Sequence, residues 1–188
     1  MYLCKLIGSV KMEHNVDTEI QFSGLKSGTY SYDFTLDNSF FSDYKNEKIL
    51  GGKVLFNVRL EKKERLMMFF FTWSGSVLTT CDRCLQEMQW PVEGEESLCV
   101  KFSDDETSDD ENVVFLPEKE CKIDLAQWMY EYVAVQMPIQ CIHPDDEDGQ
   151  PTCDPEMMAY INASEPAEEA SDEIDPRWEA LRELGSKD

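Results

Sequence analysis

The sequence predicts an α+β fold: an antiparallel β-sheet, with curling toward a barrel left open, packed by one main helix. Short C-terminal helices and a disordered acidic linker complete it. Three observations carry this expectation. Val54, Phe56, Val58 and Leu60 lie on one face of a strand whose other face is mostly Lys53, Asn57, Arg59 and Glu61. Leu66-Met67-Met68-Phe69-Phe70-Phe71 is strand-sized and apolar on both faces, which makes it central. Leu125, Trp128, Met129, Tyr132, Val133 and Gln136 recur at helical spacing and define one buried stripe.

In chain order, residues 1–18 are weakly patterned and read as a loose lead or a single edge strand. Ile20 and Phe22 then alternate with polar neighbours, and Gly24-Leu25-Lys26-Ser27-Gly28 is a turn. Tyr30, Tyr32, Phe34 and Leu36 share a strand face, after which Asp37 or Asn38 can cap a short helical turn. Gly51-Gly52 opens the alternating strand, residues 61–65 are a polar connection, and residues 66–73 form the central strand. Ser74-Gly75-Ser76 reads as a turn, and Val77-Leu78-Thr79-Thr80 leads into a cysteine pair. A further strand is expected over residues 95–102, then a solvated acidic loop to Asn112 and a short strand at 113–117. Asp124 caps the main helix over 125–136, which Pro138 ends. Asp154-Pro155-Glu156 starts a short helix through Ile161. The domain therefore spans residues 19–163, with an acidic linker at 164–174 and a short helix and tail at 175–188. Short connections favour hairpin-linked, antiparallel strands.

Charge constrains function most. Seventeen Lys and Arg face 39 Asp and Glu, a net charge of -22. Nucleic-acid affinity comes largely from cations that neutralise phosphates, so a broad RNA-binding face is disfavoured and a basic protein partner is electrostatically easier. No apolar run reaches the roughly 18 to 20 residues of a membrane span. The N-terminal ten residues have one lysine, a short apolar run and no small-residue cleavage site, and so read as cytoplasmic. Seven cysteines, an odd number in a chain of 188 residues, fit reduced thiols.

Thr80-Cys81-Asp82-Arg83-Cys84-Leu85 can aim two thiols at one metal from a tight turn, forming half of a zinc knuckle. Cys141, His143 and Cys153 are three candidates for the two remaining places, joined by the flexible acidic stretch 144–151. A redox-active Cys81–Cys84 pair is the competing reading, but no helix follows the pair to lower a thiol pKa. Four protein ligands would close the site and leave no position for catalytic water. Cys4, Cys99 and Cys121 read as ordinary residues, and the acidic runs at 104–111 and 145–148 as solvated loops rather than magnesium sites. With only His14 and His143, histidine acid–base catalysis has little material. Lys62, Lys63 and Arg65 form a solvated hairpin turn or a minor RNA contact. Asp175-Pro176-Arg177-Trp178 opens the last helix, whose Trp178, Leu181 and Leu184 dock on the domain or bind a partner's groove.

Taken together, these marks resemble the YceD family, the large ribosomal RNA subunit accumulation proteins. They are Gly24-Leu25-Lys26-x-Gly28 before an aromatic strand, Thr80-Cys81-Asp82-Arg83-Cys84-Leu85, Ile123-Asp124-Leu125, and Met137-Pro138 leading to His143 and Cys153. Ile174-Asp175-Pro176-Arg177-Trp178-x-x-Leu181 completes them. The resemblance spans roughly residues 20–184, and composition and ending point to a Bacteroidetes-like member. It implies a role in accumulation or processing of 23S ribosomal RNA without an established catalytic activity. It also favours Cys81, Cys84, His143 and Cys153 as ligands, with Cys141 the alternative: relatives carry His or Cys where this chain has His143, and often Pro or another residue at the Cys141 position. The chain departs from many relatives in lacking the cysteines of a second knuckle and in its extra N-terminal segment.

The expectation is thus a non-enzymatic accessory factor for 23S ribosomal RNA with a structural zinc, no small-molecule substrate and no membrane. It would act mainly through a basic partner, a ribosomal protein or assembly factor, with ribosomal RNA contact not extensive. The runner-up readings are an RNA-binding or RNA-processing enzyme and, behind it, a thiol oxidoreductase.

Overall fold

Alternation along one strand sets the architecture. In the computed structural model, which describes residues 17–103, 113–117 and 119–164, β3 (Gly51–Lys62) buries Val54, Phe56, Val58 and Leu60 to 1% exposure or less. It pairs on one side with β2 (Gly28–Leu36) and on the other with β4 (Leu66–Thr80). The register puts Phe56 beside Phe34 and Trp73, and Leu60 beside Tyr30 and Phe69, so one face collects the aromatics. β5 (Glu87–Phe102) pairs along the whole of β4, from Thr80↔Glu87 to Leu66↔Lys101.

Three sequence expectations are corrected here. Ser74-Gly75-Ser76 is not a turn; it lies inside β4, with Gly75 between Val54 and Val92. A Cβ on Gly75 would run into the Lys53 carbonyl, so this glycine serves close strand approach. Consequently β5 begins at Glu87 rather than near residue 95, because the uninterrupted β4 gives it a partner throughout. The sheet also does not close into a barrel. Its order is β2-β3-β4-β5-β6, with β6 (Val113–Leu116) parallel to β5 (Cys99↔Val113), so β2 and β6 are separate edges. β1 (Glu19–Gln21) and β7 (Lys122–Asp124) make a second, two-stranded sheet through Ile20↔Ile123.

Helices cover the apolar face. α1 (Asn38–Asp43) is capped by Asp37, whose carboxylate accepts from Ser39 N (2.9 Å) and Phe40 N (3.2 Å). It delivers Phe40 and Phe41, both fully buried. In α2 (Ala126–Val135), Met129 and Val133 are buried and Tyr132 stacks on Trp73 at 5.6 Å. Asp124 caps from one residue back: Leu125 holds the N-cap position without a side-chain bond, while the Asp124 carboxylate accepts from Ala126 N at 3.0 Å. Tyr44 and Tyr130 stack at 3.7 Å, tying the residue that ends α1 to α2.

One contact fixes where α2 ends. Trp73 Nε1 donates to Gln136 Oε1 (3.1 Å), and Gln136 Nε2 donates to the Glu93 carbonyl (2.6 Å). A Cβ at Gly94 would collide with both the Trp73 ring and that amide. The chain therefore leaves α2 over the β4–β5 pair. α3 (Pro155–Ser164) comes last, three residues longer than the sequence suggested. The expected linker beyond it and the last helix, with Trp178, Leu181 and Leu184, lie outside the described residues, as does the lead up to residue 16. No helix among the described residues is long and apolar enough to cross a membrane.

Two substitutions test this packing by urea denaturation. Phe56→Ala empties a site 1% exposed and is expected to cost about 3–5 kcal/mol. Thr79→Val removes a hydroxyl that is buried without a hydrogen-bond partner, so stability is expected to hold or to rise by about 1 kcal/mol.

Candidate metal centre

The cysteine pair occupies the hairpin loop between the two longest strands, 81–86, where β4 ends at Thr80 and β5 begins at Glu87. Its position is thus set by a long, fully paired ladder. Cys81 N donates to the Gln86 carbonyl and Leu85 N to the Cys81 carbonyl, both at 2.9 Å. The turn forces Leu85 to φ 62°, a left-handed conformation that favours glycine. Both thiols point inward, with Cys81 and Cys84 fully buried.

The second half arrives from α2. Asp82 fastens it: its backbone N donates to the Cys141 carbonyl (2.7 Å), and its Oδ2 accepts from Cys141 N (2.7 Å). Lys48 Nζ, 2.8 and 3.0 Å from the two carboxylate oxygens, completes the clasp. The Lys48 ammonium and the Cys141 N–H hold the Asp82 carboxyl below its ordinary range. Beyond His143 the stretch expected to be flexible is a narrow turn. Asp146 Oδ1 accepts from Asp148 N (3.0 Å) and Gln150 N (2.7 Å), and Asp145 bridges Pro151. The turn returns the chain at Cys153, and Asp154 caps α3 through Glu156 N (2.9 Å) and Met157 N (3.0 Å).

Four ligand atoms converge. The Sγ atoms of Cys81, Cys84 and Cys153 and a ring nitrogen of His143 all lie within 4.8 Å of one another, a group that could hold a metal ion. Cys81 Sγ is 3.9 Å from Cys153 Sγ, and His143 Nδ1 is 3.4 Å from Cys84 Sγ and 3.9 Å from Cys153 Sγ. A tetrahedron with metal–sulfur bonds of about 2.3 Å and metal–nitrogen bonds of about 2.0 Å has edges of roughly 3.5–3.8 Å, so these separations suit one small ion. Met88, Ile142, Met157 and Met158 pack around the group.

The electrostatics fit the same donor set. Burial pushes the Cys81 thiol up, but the backbone N–H groups of Cys84, Arg83 and His143, with the His143 ring, outweigh it and bring the thiol to about 6. Burial and the neighbouring sulfurs push Cys153 up to about 11. One thiolate is thus prepared by the fold, while further ionisation in so small a volume calls for a cation.

Cys141, the alternative ligand, is fully buried but outside the group; its Sγ lies 3.9 Å from the Pro138 carbonyl. Cys99 is half-buried, Cys121 is exposed, and both are apart from the centre. Cys4 and the acidic run 104–111 lie outside the described residues. Asp145, Asp146, Glu147 and Asp148 are exposed. Lys62 is engaged in the fold, donating to the Phe22 (2.9 Å) and Leu25 (2.7 Å) carbonyls, while Lys63 and Arg65 are exposed. Sequence reasoning missed Asp82 and Lys48. An aspartate between two cysteines gives a faint signal, and an isolated lysine 34 residues away gives none.

The family model for "Large ribosomal RNA subunit accumulation protein YceD" matches residues 70–185. The chain is similar to "Uncharacterized protein YlbN" of Bacillus subtilis (strain 168), 24% identical over 173 residues, covering 91% of this chain and 96% of that one. No solved structure matches the chain. The matched span holds the knuckle, α2 and the turn from His143 to Cys153, and on that match the chain belongs to the YceD family of large ribosomal RNA subunit accumulation proteins.

Proposed function

We propose that this protein is a non-enzymatic accessory factor in the accumulation of large-subunit (23S) ribosomal RNA. It acts mainly through basic protein partners and carries one structural zinc on Cys81, Cys84, His143 and Cys153. The observation that carries the reading is the four-donor cluster within a chain of this family. Sulfur-rich N/S donors in a tetrahedral arrangement suit Zn²⁺, and four protein ligands complete its coordination without a place for reactive water. When bound, zinc would supply cross-linking rather than Lewis-acid chemistry. This chain's own residues do the remainder: Asp82 and Lys48 orient the incoming segment, and the methionines exclude water.

Charge supports action through proteins. With 39 acidic residues against 17 basic ones, extended phosphate contact would run against the field of the whole molecule. Ribosomal proteins and assembly factors with basic segments meet that field favourably.

Metal analysis of protein purified without chelator is expected to give one zinc per chain. Cys153→Ser should lose it, whereas Cys141→Ser should retain it; a metal-free wild type would sink the zinc reading. Asp82→Ala, measured by competition with a chromophoric chelator, is expected to weaken zinc binding roughly 10- to 100-fold, as for other groups that orient ligands. For the partner-mediated role, filter binding to 23S ribosomal RNA should be weak, while the protein should co-sediment with purified large-subunit proteins. Tight RNA binding that falls steeply with salt would overturn that role in favour of an RNA-binding or RNA-processing enzyme.

A further inference from the structure

Beyond the metal, the same end of the molecule exposes apolar side chains that the fold does not use. Leu85 directly follows Cys84 and is 67% exposed; Ile139, in the segment that Asp82 fastens, is 98% exposed. Tyr160, on the helix whose Met157 and Met158 pack over the centre, is 74% exposed. Leu85 is the informative one. Its backbone sits at φ 62°, where glycine is at ease and a branched side chain is strained. A leucine held there, two-thirds exposed, adds little to packing and opposes its own conformation.

The electrostatic setting of these three residues narrows what they meet. Residues 138–160 contain no Lys or Arg but six carboxylates: Asp145, Asp146, Glu147, Asp148, Asp154 and Glu156. Of the cations on neighbouring segments, Lys48 is engaged by Asp82, which leaves Lys45 beside it and Arg83 in the knuckle, two against six carboxylates. The exposed apolar residues and these carboxylates belong to elements that one four-residue cluster brings together.

We propose that this knuckle tip is a docking surface for a cationic polypeptide segment with aliphatic anchors, Leu85 and Ile139 forming its centre and the carboxylates of the 144–151 turn its rim. The proposal rests on the partner-mediated reading above and names the surface and the chemistry of the partner. An apolar centre that excludes water, with complementary charge at the edge, is the arrangement that concentrates binding energy in few residues. Phosphate backbones are repelled by the same rim, so a protein segment rather than RNA is the fitting occupant.

The test uses the full, zinc-loaded chain and fluorescence anisotropy with three labelled peptides of about 16 residues, the length of a short groove-binding helix. One alternates lysine and leucine as an amphipathic helix, one pairs lysine with serine, and one pairs glutamate with leucine. Saturable binding of the lysine–leucine peptide alone is expected. Leu85→Gly should weaken it about tenfold or more while the variant keeps its zinc and melts no lower than wild type, since glycine suits φ 62°. Ile139→Asp should weaken it similarly, and Leu55→Asp, at an exposed leucine on the sheet, should leave it unchanged. Equal binding of the lysine–serine peptide, or equal loss in Leu55→Asp, overturns the proposal. So does displacement of the bound peptide by single-stranded RNA in a Leu85-dependent manner. If Leu85→Gly and Ile139→Asp still co-sediment fully with large-subunit proteins, the tip is refuted and the partner-mediated role stands. If neither those proteins nor the peptide bind the wild type, both fail.

Discussion

Two stretches far apart in the chain must share one small volume, and most of the architecture serves that convergence. Cys84 and His143 are 59 residues apart, and closing a free loop of that length costs roughly 4 kcal/mol plus a constant. The sheet and α2 absorb nearly all of this, because Gln136 is already fixed against Trp73 and Glu93 at the end of the helix. What remains is to order residues 137–153, at about 1–2 kcal/mol of backbone entropy for each residue held. The clasp at Asp82 is solvent-exposed, and exposed ion pairs are screened. It can register the segment but not outweigh its entropy. Metal coordination works on another scale, about 10–16 kcal/mol in small zinc-folded peptides. On the proposed zinc reading, the order of that segment would hang on the ion.

The distribution of apolar residues leads to the same place. The main core runs from Phe40 and Phe41 across the sheet to Met129 and Val133 on α2. The cluster around Cys81, Cys84, Met88 and Cys153 is separate and small, with Trp90 packed against both. A cluster of that size buries too little surface to hold an irregular segment and α3 in place. Three sulfurs and an imidazole, gathered as a group that could hold one ion, stand where a larger protein would have a second core.

How much of this the sequence discloses depends on whether a pattern is local. Alternation from Val54 to Leu60 and the helical stripe from Leu125 to Gln136 need only neighbours, and the elements found there match. The convergence of four candidate ligands was readable because a cysteine pair at that spacing, only moderately specific by itself, has a distant His and Cys as its complement. Cys141 was indistinguishable from a ligand, since its exclusion depends on backbone bonds to Asp82 that no spacing reveals. Ser74-Gly75-Ser76 misled because glycine signals both turns and close strand approach, and only the flanking strands decide between them. The parallel placement of β6 was unreadable because four apolar residues carry no signal of strand direction; only the register with β5 gives it.

Charge bookkeeping at the centre bears on what the protein can meet. Three thiolates and a neutral imidazole around a divalent ion sum to 2 − 3 = −1, so loading does not make that end of the molecule positive. Unlike a bare cation site, it offers no attraction to a phosphate, and the carboxylates from Asp145 to Glu156 reinforce the sign. In the proposed role the ion would therefore act on partners indirectly. It would lock the segment carrying Ile139 and the turn carrying the carboxylates onto the hairpin carrying Leu85, a junction that otherwise rests on the Asp82 bonds and a small apolar cluster. A surface whose parts are held together by a metal exists as a surface only while the metal is bound. In the proposed role, recognition at this end would thereby be coupled to zinc occupancy through the entropy of one short stretch of chain.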